Sequence, residues 1–445
     1  MDRNEEVSEV MSGRKIKHRW AYLLVALLVS IGLLVWQGFR QFHESDEAYK
    51  VKAVIRYKTA CNGGDAHGCT KLGAKYLYGR GVEQSDTKAF ELYQQACGGG
   101  DVEGCNDLGW MYNNARGIEQ SDSQAVMIYK QTCDGGVASG CASLGWQYDT
   151  KGSSGPEGDD KLSAKYYEQA CNTGSGWGCN NLGAMYQDGR YFDHNDARAA
   201  TLYQQACEGK YALGCRNAGW VYRKGKGVVQ SLAISAEFYQ QGCEGDDAAS
   251  CGQLGWMYRK GMGVDQDDVK AAKFSEQACN GKYMWGCSNL GWMYKKGRGV
   301  DEDFSKAAIY YGQGCEGGSS WGCNNLGRLY ARGQGVEKDY AKAVELYRQA
   351  CDDAYALGCN NLGWMYREGK GVGQDDGRGV ALYRQSCGEG NALGCVNLGG
   401  MYENGRGVNQ DNEKAIDLFR KACLEGDKKG CAKLENTEGK GKGSQ

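Results

Sequence analysis

Residues 105–133, CNDLGWMYNNARGIEQSDSQAVMIYKQTC, decide the fold of this 445-residue chain. Close variants of this segment recur with a period of thirty-six residues between positions 61 and 431. A fixed period of this size is typical of a solenoid, in which one supersecondary unit stacks on copies of itself. The repetition also accounts for the 70 glycines, an unusual number for an ordinary globular domain.

Each repeat contains two segments with helical periodicity. Cys105, Leu108 and Tyr112 are spaced as one apolar face of a first helix. Gly109 interrupts that helix at a cost of about 1 kcal/mol relative to alanine, so we expect a close helix approach there. A G-x-G-V turn, as at residues 225–228, then leads to a second helix. The pattern predicts an all-α solenoid of antiparallel helical hairpins. The turn lacks the residue order of a phosphate-binding loop.

The 22 cysteines form eleven pairs with seven residues inside each pair. An even, regular set predicts disulfides made in an oxidising compartment, each joining the end of a second helix to the start of the next first helix. Zinc is the alternative, but structural zinc sites have two to four residues between paired ligands. We therefore expect no metal and no cofactor. The predicted disulfide residues, in pairs along the chain, are Cys61 and Cys69, Cys97 and Cys105, Cys133 and Cys141, Cys171 and Cys179, Cys207 and Cys215, Cys243 and Cys251, Cys279 and Cys287, Cys315 and Cys323, Cys351 and Cys359, Cys387 and Cys395, and Cys423 and Cys431.

Residues 20–36, WAYLLVALLVSIGLLVW, carry no charge and are flanked by aromatic residues, which predicts a transmembrane signal anchor. Four Lys and Arg residues between positions 14 and 19 place the N-terminus in the cytoplasm and the repeats beyond the membrane, most simply in a bacterial periplasm. A cleaved signal peptide is the alternative. The predicted organisation is a cytoplasmic tail at 1–19, the anchor at 20–36, a linker at 37–44, the solenoid at 45–435 with ten complete hairpins and capping half-repeats, and a disordered tail at 436–445.

A candidate binding surface follows from the first helices. The residue after the glycine of the first helix lies about 200° from the core leucine, and in six hairpins it is tryptophan. In the later hairpins a cation stands three residues further on, and Arg328 interrupts the tryptophan series. One interpretation is that the indoles only fill space between helices; the other is a concave strip that holds a partner, since Trp and Arg dominate binding hot spots. The candidate residues are Trp110, Trp146, Trp220, Arg223, Trp256, Arg259, Trp292, Lys295, Arg328, Trp364 and Arg367.

The combination of L-G-x-x-Y, G-x-G-V and K-A-x-x-L-Y at this period resembles the Sel-one-like repeat family, and the added Cys-x7-Cys resembles the Helicobacter cysteine-rich proteins within it. The resemblance spans about residues 45 to 435. It implies α/α hairpins in a right-handed, TPR-like superhelix, a disulfide in each repeat, and adaptor or scaffold roles. Some relatives are labelled penicillin-binding or beta-lactamase-like.

Enzymatic chemistry has little support in the sequence. Ser85 and Lys88 have the spacing of a serine beta-lactamase nucleophile and base, but no SDN or KTG element occurs, and Asp339 and Asp411 stand at the serine position in other repeats. The pair is therefore interpreted as a helix start. We predict no catalytic residues, and a weak beta-lactamase-like hydrolase is the enzymatic alternative.

The expected function is a membrane-anchored scaffold for a protein or peptide partner. Binding of peptidoglycan or another glycan, and binding of beta-lactams, are the alternatives. A formal net charge of -2 gives no basis for nucleic-acid binding, which requires a strongly basic face.

Overall fold

The computed structural model describes residues 49–149 and 159–441. These ranges contain 22 helices, which alternate between second helices (odd numbers) and first helices (even numbers). They are α1 (49–62), α2 (Ala66–Tyr78), α3 (Asp86–Gly98), α4 (Val102–Asn113), α5 (Asp122–Asp134), α6 (Ala138–Asp149), α7 (Asp160–Asn172), α8 (Gly176–Asp188), α9 (Asp196–Glu208), α10 (Ala212–Lys224), α11 (Leu232–Glu244), α12 (Ala248–Lys260), α13 (Asp268–Asn280), α14 (Met284–Lys296), α15 (Phe304–Glu316), α16 (Ser320–Arg332), α17 (Tyr340–Asp352), α18 (Ala356–Glu368), α19 (Asp376–Gly388), α20 (Ala392–Asn404), α21 (Asn412–Leu424) and α22 (Lys428–Gly441).

The chain divides into two compact units, Met1–Thr173 and Gly174–Gln445. In the first unit α1 to α7 pack in chain order, and in the second α8 to α22 do the same. Each helix packs mainly on its neighbours in sequence, as expected for a repeat array. The all-α solenoid of helical hairpins is confirmed.

Second helices begin at a side-chain cap. Ser85 is the N-cap of α3, and its hydroxyl accepts a hydrogen bond from the backbone N–H of Lys88 at 3.3 Å. Asp339 and Asp411 cap α17 and α21 in the same way. The Lys88 ammonium lies instead over the ring of Tyr76, 5.3 Å from its centroid. The Ser85–Lys88 spacing is therefore a helix start, as the sequence indicated, because capping satisfies a backbone donor that the first turn leaves free.

The glycine in the middle of each first helix makes room for a buried side chain of the following second helix. A Cβ atom on Gly109 would lie 2.6 Å from the ring of Tyr129, which is 3% exposed. Real Cβ atoms do not come this close to a neighbour, so the helices can pack at this distance only with glycine at this position. The close approach expected from the sequence is confirmed.

Every cysteine is oxidised, and none is free. Ten bridges each close the corner between a second helix and the next first helix, so these thiols are used in disulfides and not as zinc ligands. The Cα atoms of Cys279 and Cys287, for example, are 4.5 Å apart. The predicted pairs are confirmed for Cys61 with Cys69, Cys97 with Cys105, Cys133 with Cys141, Cys207 with Cys215, Cys243 with Cys251, Cys279 with Cys287, Cys315 with Cys323, Cys351 with Cys359, Cys387 with Cys395, and Cys423 with Cys431. Cys171 and Cys179 are each oxidised as well.

The C-terminal helix extends further than the sequence indicated. We expected disorder from residue 436, but α22 continues to Gly441. Residues 442–445 lie outside the described part of the chain, as does the longer turn at 150–158, which contains Pro156.

The prediction of a transmembrane helix is corrected by the structure. Among the residues described, no helix combines the length and the apolar character needed to cross a bilayer. The repeat helices of 12 to 14 residues are short because a solenoid turns at every corner, whereas a span needs about 20 residues. The predicted anchor at 20–36, with the tail at 1–19 and the linker at 37–44, lies outside the described residues. A single-pass membrane location, with the N-terminus in the cytoplasm and the repeats in the periplasm, is therefore not supported.

Candidate functional site

The second unit carries a row of tryptophans and cations on five successive first helices, α10, α12, α14, α16 and α18. We call this row the Trp/cation strip. Its members are Trp220, Arg223, Trp256, Arg259, Trp292, Lys295, Arg328, Trp364 and Arg367, all of which are half-buried.

The indoles of the strip pack partly against the core. Trp256 borders the cluster around Tyr239 and Met257, and Trp292 borders two successive clusters. The space-filling interpretation therefore describes one side of each ring. Each ring also keeps part of its surface in solvent.

Two arginines of the strip lie over the tryptophan of the next first helix. The guanidinium carbon of Arg223 is 5.9 Å from the centroid of the Trp256 ring, and that of Arg259 is 4.5 Å from the centroid of Trp292. The sequence interpretation had placed each cation beside the tryptophan of its own helix. The structure instead pairs residues 33 positions apart, because the long arginine side chain spans the groove between adjacent first helices.

The pairing of a cation with the tryptophan 33 residues further along does not continue at Lys295. The residue 33 positions further along is Arg328, so the position that carries an indole in the two preceding pairs carries a guanidinium here. Burial, together with the positive charges of Arg328 and Arg332, lowers the pKa of Lys295 to about 8. Within the described ranges, no carboxylate forms an ion pair with Lys295, Arg328 or Arg332.

Burial also lowers the pKa of Arg259. Desolvation is the main cause that lowers its pKa, and the nearby charge of Arg298 acts in the same direction. The Nε atoms of Arg223 and Arg259 are both buried and have no hydrogen-bond partner. The same is true of the Tyr311 hydroxyl, which belongs to a fully buried side chain close to Arg328 and Arg259. The Nε–H groups of Arg223 and Arg259 in the strip, and the Tyr311 hydroxyl beside it, thus have no hydrogen-bond acceptor.

The C-terminal end of the strip is organised differently. The Lys370 ammonium lies 4.5 Å from the centroid of the Trp364 ring, whereas Arg367 donates from Nε to a Glu368 carboxylate oxygen at 2.8 Å. Arg298, which also lies near Trp292 at 5.8 Å, is paired with Asp268. Sequence reasoning missed Lys370 and Arg298 because both belong to the G-x-G-V turns rather than to the helix face that it searched.

Trp110 and Trp146 belong to the first unit and are 37% and 38% exposed. The residues three positions further on are not cations there. Asn113 accepts a hydrogen bond from Gln147 at 2.7 Å, and Asp149 accepts one from the Tyr167 hydroxyl at 3.1 Å. The cationic character of the strip is therefore a property of the second unit.

The asparagines near the strip serve the packing between helices. Asn289 is fully buried and donates to the Ser275 hydroxyl at 2.6 Å. Asn361 donates to the side-chain oxygen of Asn324 on the preceding first helix at 2.7 Å. These amides therefore link neighbouring helices.

A second feature lies at the corners between repeats. Trp285 and Trp321, together with Tyr283 and Tyr355, line an open cavity of about 550 Å³. The Trp321 ring also contacts the ring of Tyr311 edge-on, with centroids 6.2 Å apart. Trp321 therefore supports the core as well as the cavity.

Together, the helical hairpins, the stapled corners and the extended strip define a disulfide-bonded α/α-repeat protein, a class that presents long surfaces to its ligands. The chain belongs to the Sel1 repeat family. The Sel1 repeat model matches ten segments, at 66–101, 102–137, 138–175, 178–211, 212–247, 248–283, 286–319, 322–355, 356–391 and 392–427. The resemblance seen in the sequence is confirmed.

Solved structures with the same repeat are similar to this chain. A protective antigen of uropathogenic Escherichia coli with an SLR fold is 26% identical, with a TM-score of 0.52, over 87% of this chain and 90% of the antigen. A Sel1 repeat protein from Oxalobacter formigenes is 24% identical, with a TM-score of 0.50, over 55% of this chain and 96% of its own. Cysteine rich protein B of Helicobacter pylori is 30% identical over 29% of this chain and 94% of its own, with a TM-score of 0.26. Comparison with curated protein sequences finds no match.

Proposed function

We propose that this chain is a scaffold that binds an acidic segment of a protein partner along the Trp/cation strip. Sel1 repeat proteins typically mediate protein–protein interactions, and that general role applies here through family membership. The finer assignment depends on one observation. Among the residues described, the half-buried cations Lys295 and Arg328 form no ion pair with a carboxylate.

An unpaired cation in a partly desolvated position is unfavourable, and an incoming anion relieves the cost. Successive first helices repeat the cation, so an extended chain with several carboxylates could contact several steps at once. The exposed parts of the half-buried indoles offer apolar area to the side chains of the same partner, and Trp and Arg are enriched in binding hot spots. Complementary charge would also steer the encounter and fix its direction.

The oxidised cysteines support folding in an oxidising compartment, because disulfides of this density are rare in reducing cytosol. We therefore expect the partner to be a protein of the same compartment. Ser85 caps a helix and Lys88 stacks on Tyr76, so the geometry gives no support to a beta-lactamase-like reaction.

A charge-reversal experiment tests the proposal. The variant Arg223→Glu/Arg259→Glu/Lys295→Glu inverts the strip on α10, α12 and α14. The control Lys224→Glu/Lys260→Glu/Lys296→Glu makes the same charge change on the same helices one residue further on, at exposed positions. Both variants and the unaltered protein are used to select from a phage-displayed peptide library.

We expect the unaltered protein and the control to enrich peptides rich in Asp and Glu, and the strip variant to lose them. Enrichment of neutral or basic peptides, or equal loss in the control, would contradict the proposal. Glycan binding is tested in parallel by co-sedimentation with purified sacculi. Sedimentation that the strip variant abolishes, together with no enrichment of acidic peptides, would favour peptidoglycan instead.

A further inference from the structure

We infer that the break in the strip at Lys295 and Arg328, together with Arg332, is a carboxylate-binding subsite that anchors the partner. This inference rests on the proposed function and makes it specific. It assigns Lys295 on α14 and Arg328 on α16 as the place where a single acidic group of the partner is held.

The geometry singles out this step. On the two preceding first helices an arginine lies over the indole 33 residues further along, with the guanidinium carbon 5.9 Å and 4.5 Å from the ring centroid. Position 328 is the one place among α12, α14, α16 and α18 where the indole is replaced, and its replacement carries a positive charge. Lys295 therefore has an arginine, not an indole, at the position 33 residues further along.

The charges of the subsite are unbalanced. Lys295 and Arg328 are half-buried, and Arg332 is exposed at the last residue of α16. All the charged groups that perturb Lys295 are positive, namely Arg328, Arg332 and Lys296. A carboxylate placed between Lys295 and Arg328 would turn this repulsion into two attractive contacts, one of which can be bidentate.

A buried hydroxyl points to the same ligand. Tyr311 is fully buried, its hydroxyl has no hydrogen-bond partner, and the charges of Arg328 and Arg259 act on it. Buried polar groups are almost always paired, so an unpaired hydroxyl near these cations leaves a hydrogen-bond donor without an acceptor in the free protein.

The surroundings favour a carboxylate on a peptide over a free inorganic anion. Trp292 lies on α14 with Lys295, and Trp364 lies on the next first helix after Arg328. Both rings are half-buried, so the part of each ring that stays in solvent adds apolar area near the cations. A peptide can contact the charges and the rings together, whereas an inorganic ion uses only the charges.

The test uses fluorescence anisotropy with fluorescein-labelled hexaglutamate and, as a neutral probe, labelled hexaglutamine. The main variant is Arg328→Trp, which restores the residue that other hairpins carry and so preserves the fold. Lys295→Gln removes the second charge, and Lys296→Gln is the control at the exposed neighbouring position. Arg223→Gln/Arg259→Gln tests the rest of the strip.

We expect hexaglutamate to bind the unaltered protein, hexaglutamine to bind at least tenfold more weakly, and both Arg328→Trp and Lys295→Gln to weaken hexaglutamate binding at least tenfold. Lys296→Gln should change it less than twofold. If Arg223→Gln/Arg259→Gln weakens binding while Arg328→Trp does not, the strip stands and the subsite is overturned. If the unaltered protein does not bind hexaglutamate, both proposals are overturned. Displacement by inorganic phosphate at far lower concentration than acetate, at equal ionic strength, would overturn the choice of a carboxylate.

Discussion

Arg259 lies over the indole of Trp292, on the next first helix, with its guanidinium carbon 4.5 Å from the ring centroid. The contact joins two repeats on the same face that we propose for partner binding. The π face offers a weakly negative surface to the desolvated guanidinium, which stabilises its charged form.

The Arg259–Trp292 contact should be measurable as a coupling between repeats. A double-mutant cycle with Arg259→Met and Trp292→Leu is expected to give a coupling free energy of about 0.5 to 2 kcal/mol, the range for cation–π pairs from exposed to desolvated sites. Because repeat arrays open locally, the free energies are best taken from amide hydrogen exchange in α12 and α14. A coupling of zero would show that the two side chains act independently.

Two adjacent glycines of α20 should respond oppositely to alanine. A Cβ atom on Gly399 would lie 2.6 Å from the ring of Phe419, whereas one on Gly400 would meet nothing within 4 Å. We expect Gly399→Ala to destabilise by about 1 to 3 kcal/mol through overpacking. Gly400→Ala should stabilise by up to about 1 kcal/mol through helix propensity. Thermal unfolding of both variants checks this, and a similar loss in both would refute the packing explanation.

Removing one disulfide should loosen one corner only. For Cys279→Ala/Cys287→Ala the chain-entropy estimate is a loss of about 2 to 3 kcal/mol, since the loop is short. Faster hydrogen exchange is expected in α13 and α14, with α20 and α21 unchanged, because contacts in a repeat array are local. Loss of protection throughout the second unit would argue for a single cooperative unit. In the unaltered protein, denatured and unreduced, a thiol reagent should label none of the 22 cysteines.

Lys295 should make stability depend on pH in the alkaline range. Its pKa in the folded protein is about 8, against 10.5 for the ordinary side chain. Between these values the unfolded chain holds more protons than the folded one, so stability rises with pH from about 8 to 10.5. Below pH 8 both states are charged and the folded state bears the full cost of burying the ammonium. Comparison of Lys295→Met with Lys296→Met across this range checks the sign; the first should lose this rise in stability and the second should keep it.

The fold could be predicted from the sequence because its determinants are local and repeated. Leu108 and Tyr112 give a helical face, Ser85 and its equivalents start second helices, and the glycines mark close approaches and turns. The pairing of cysteines followed from their position at helix ends. The transmembrane prediction came from 20–36, outside the repeats, and the repeat pattern gave no independent check on it. The end of the last helix was also missed, because residues 436–441 lack the apolar pattern on which the prediction relied.

The strip shows where sequence reasoning reached its limit. Spacing on one helix identified the face that carries Arg223, Arg259 and Lys295, because helical periodicity fixes direction. It did not identify their neighbours, which belong to the next first helix, or the role of Lys370 in the following turn. Distances between helices depend on how repeats stack, and no single repeat contains that information.

The sequence by itself determined the repeating hairpin, the stapled corners and the family, because each depends on residues close together in the chain. Only the tertiary structure decided that Arg223 and Arg259 lie over the indole of the next first helix, and that Lys295 and Arg328 are half-buried without a carboxylate ion pair. Stacking brings residues of successive repeats side by side, and burial between helices then makes their unpaired charges costly. The binding chemistry proposed for this protein depends on that stacking of successive repeats.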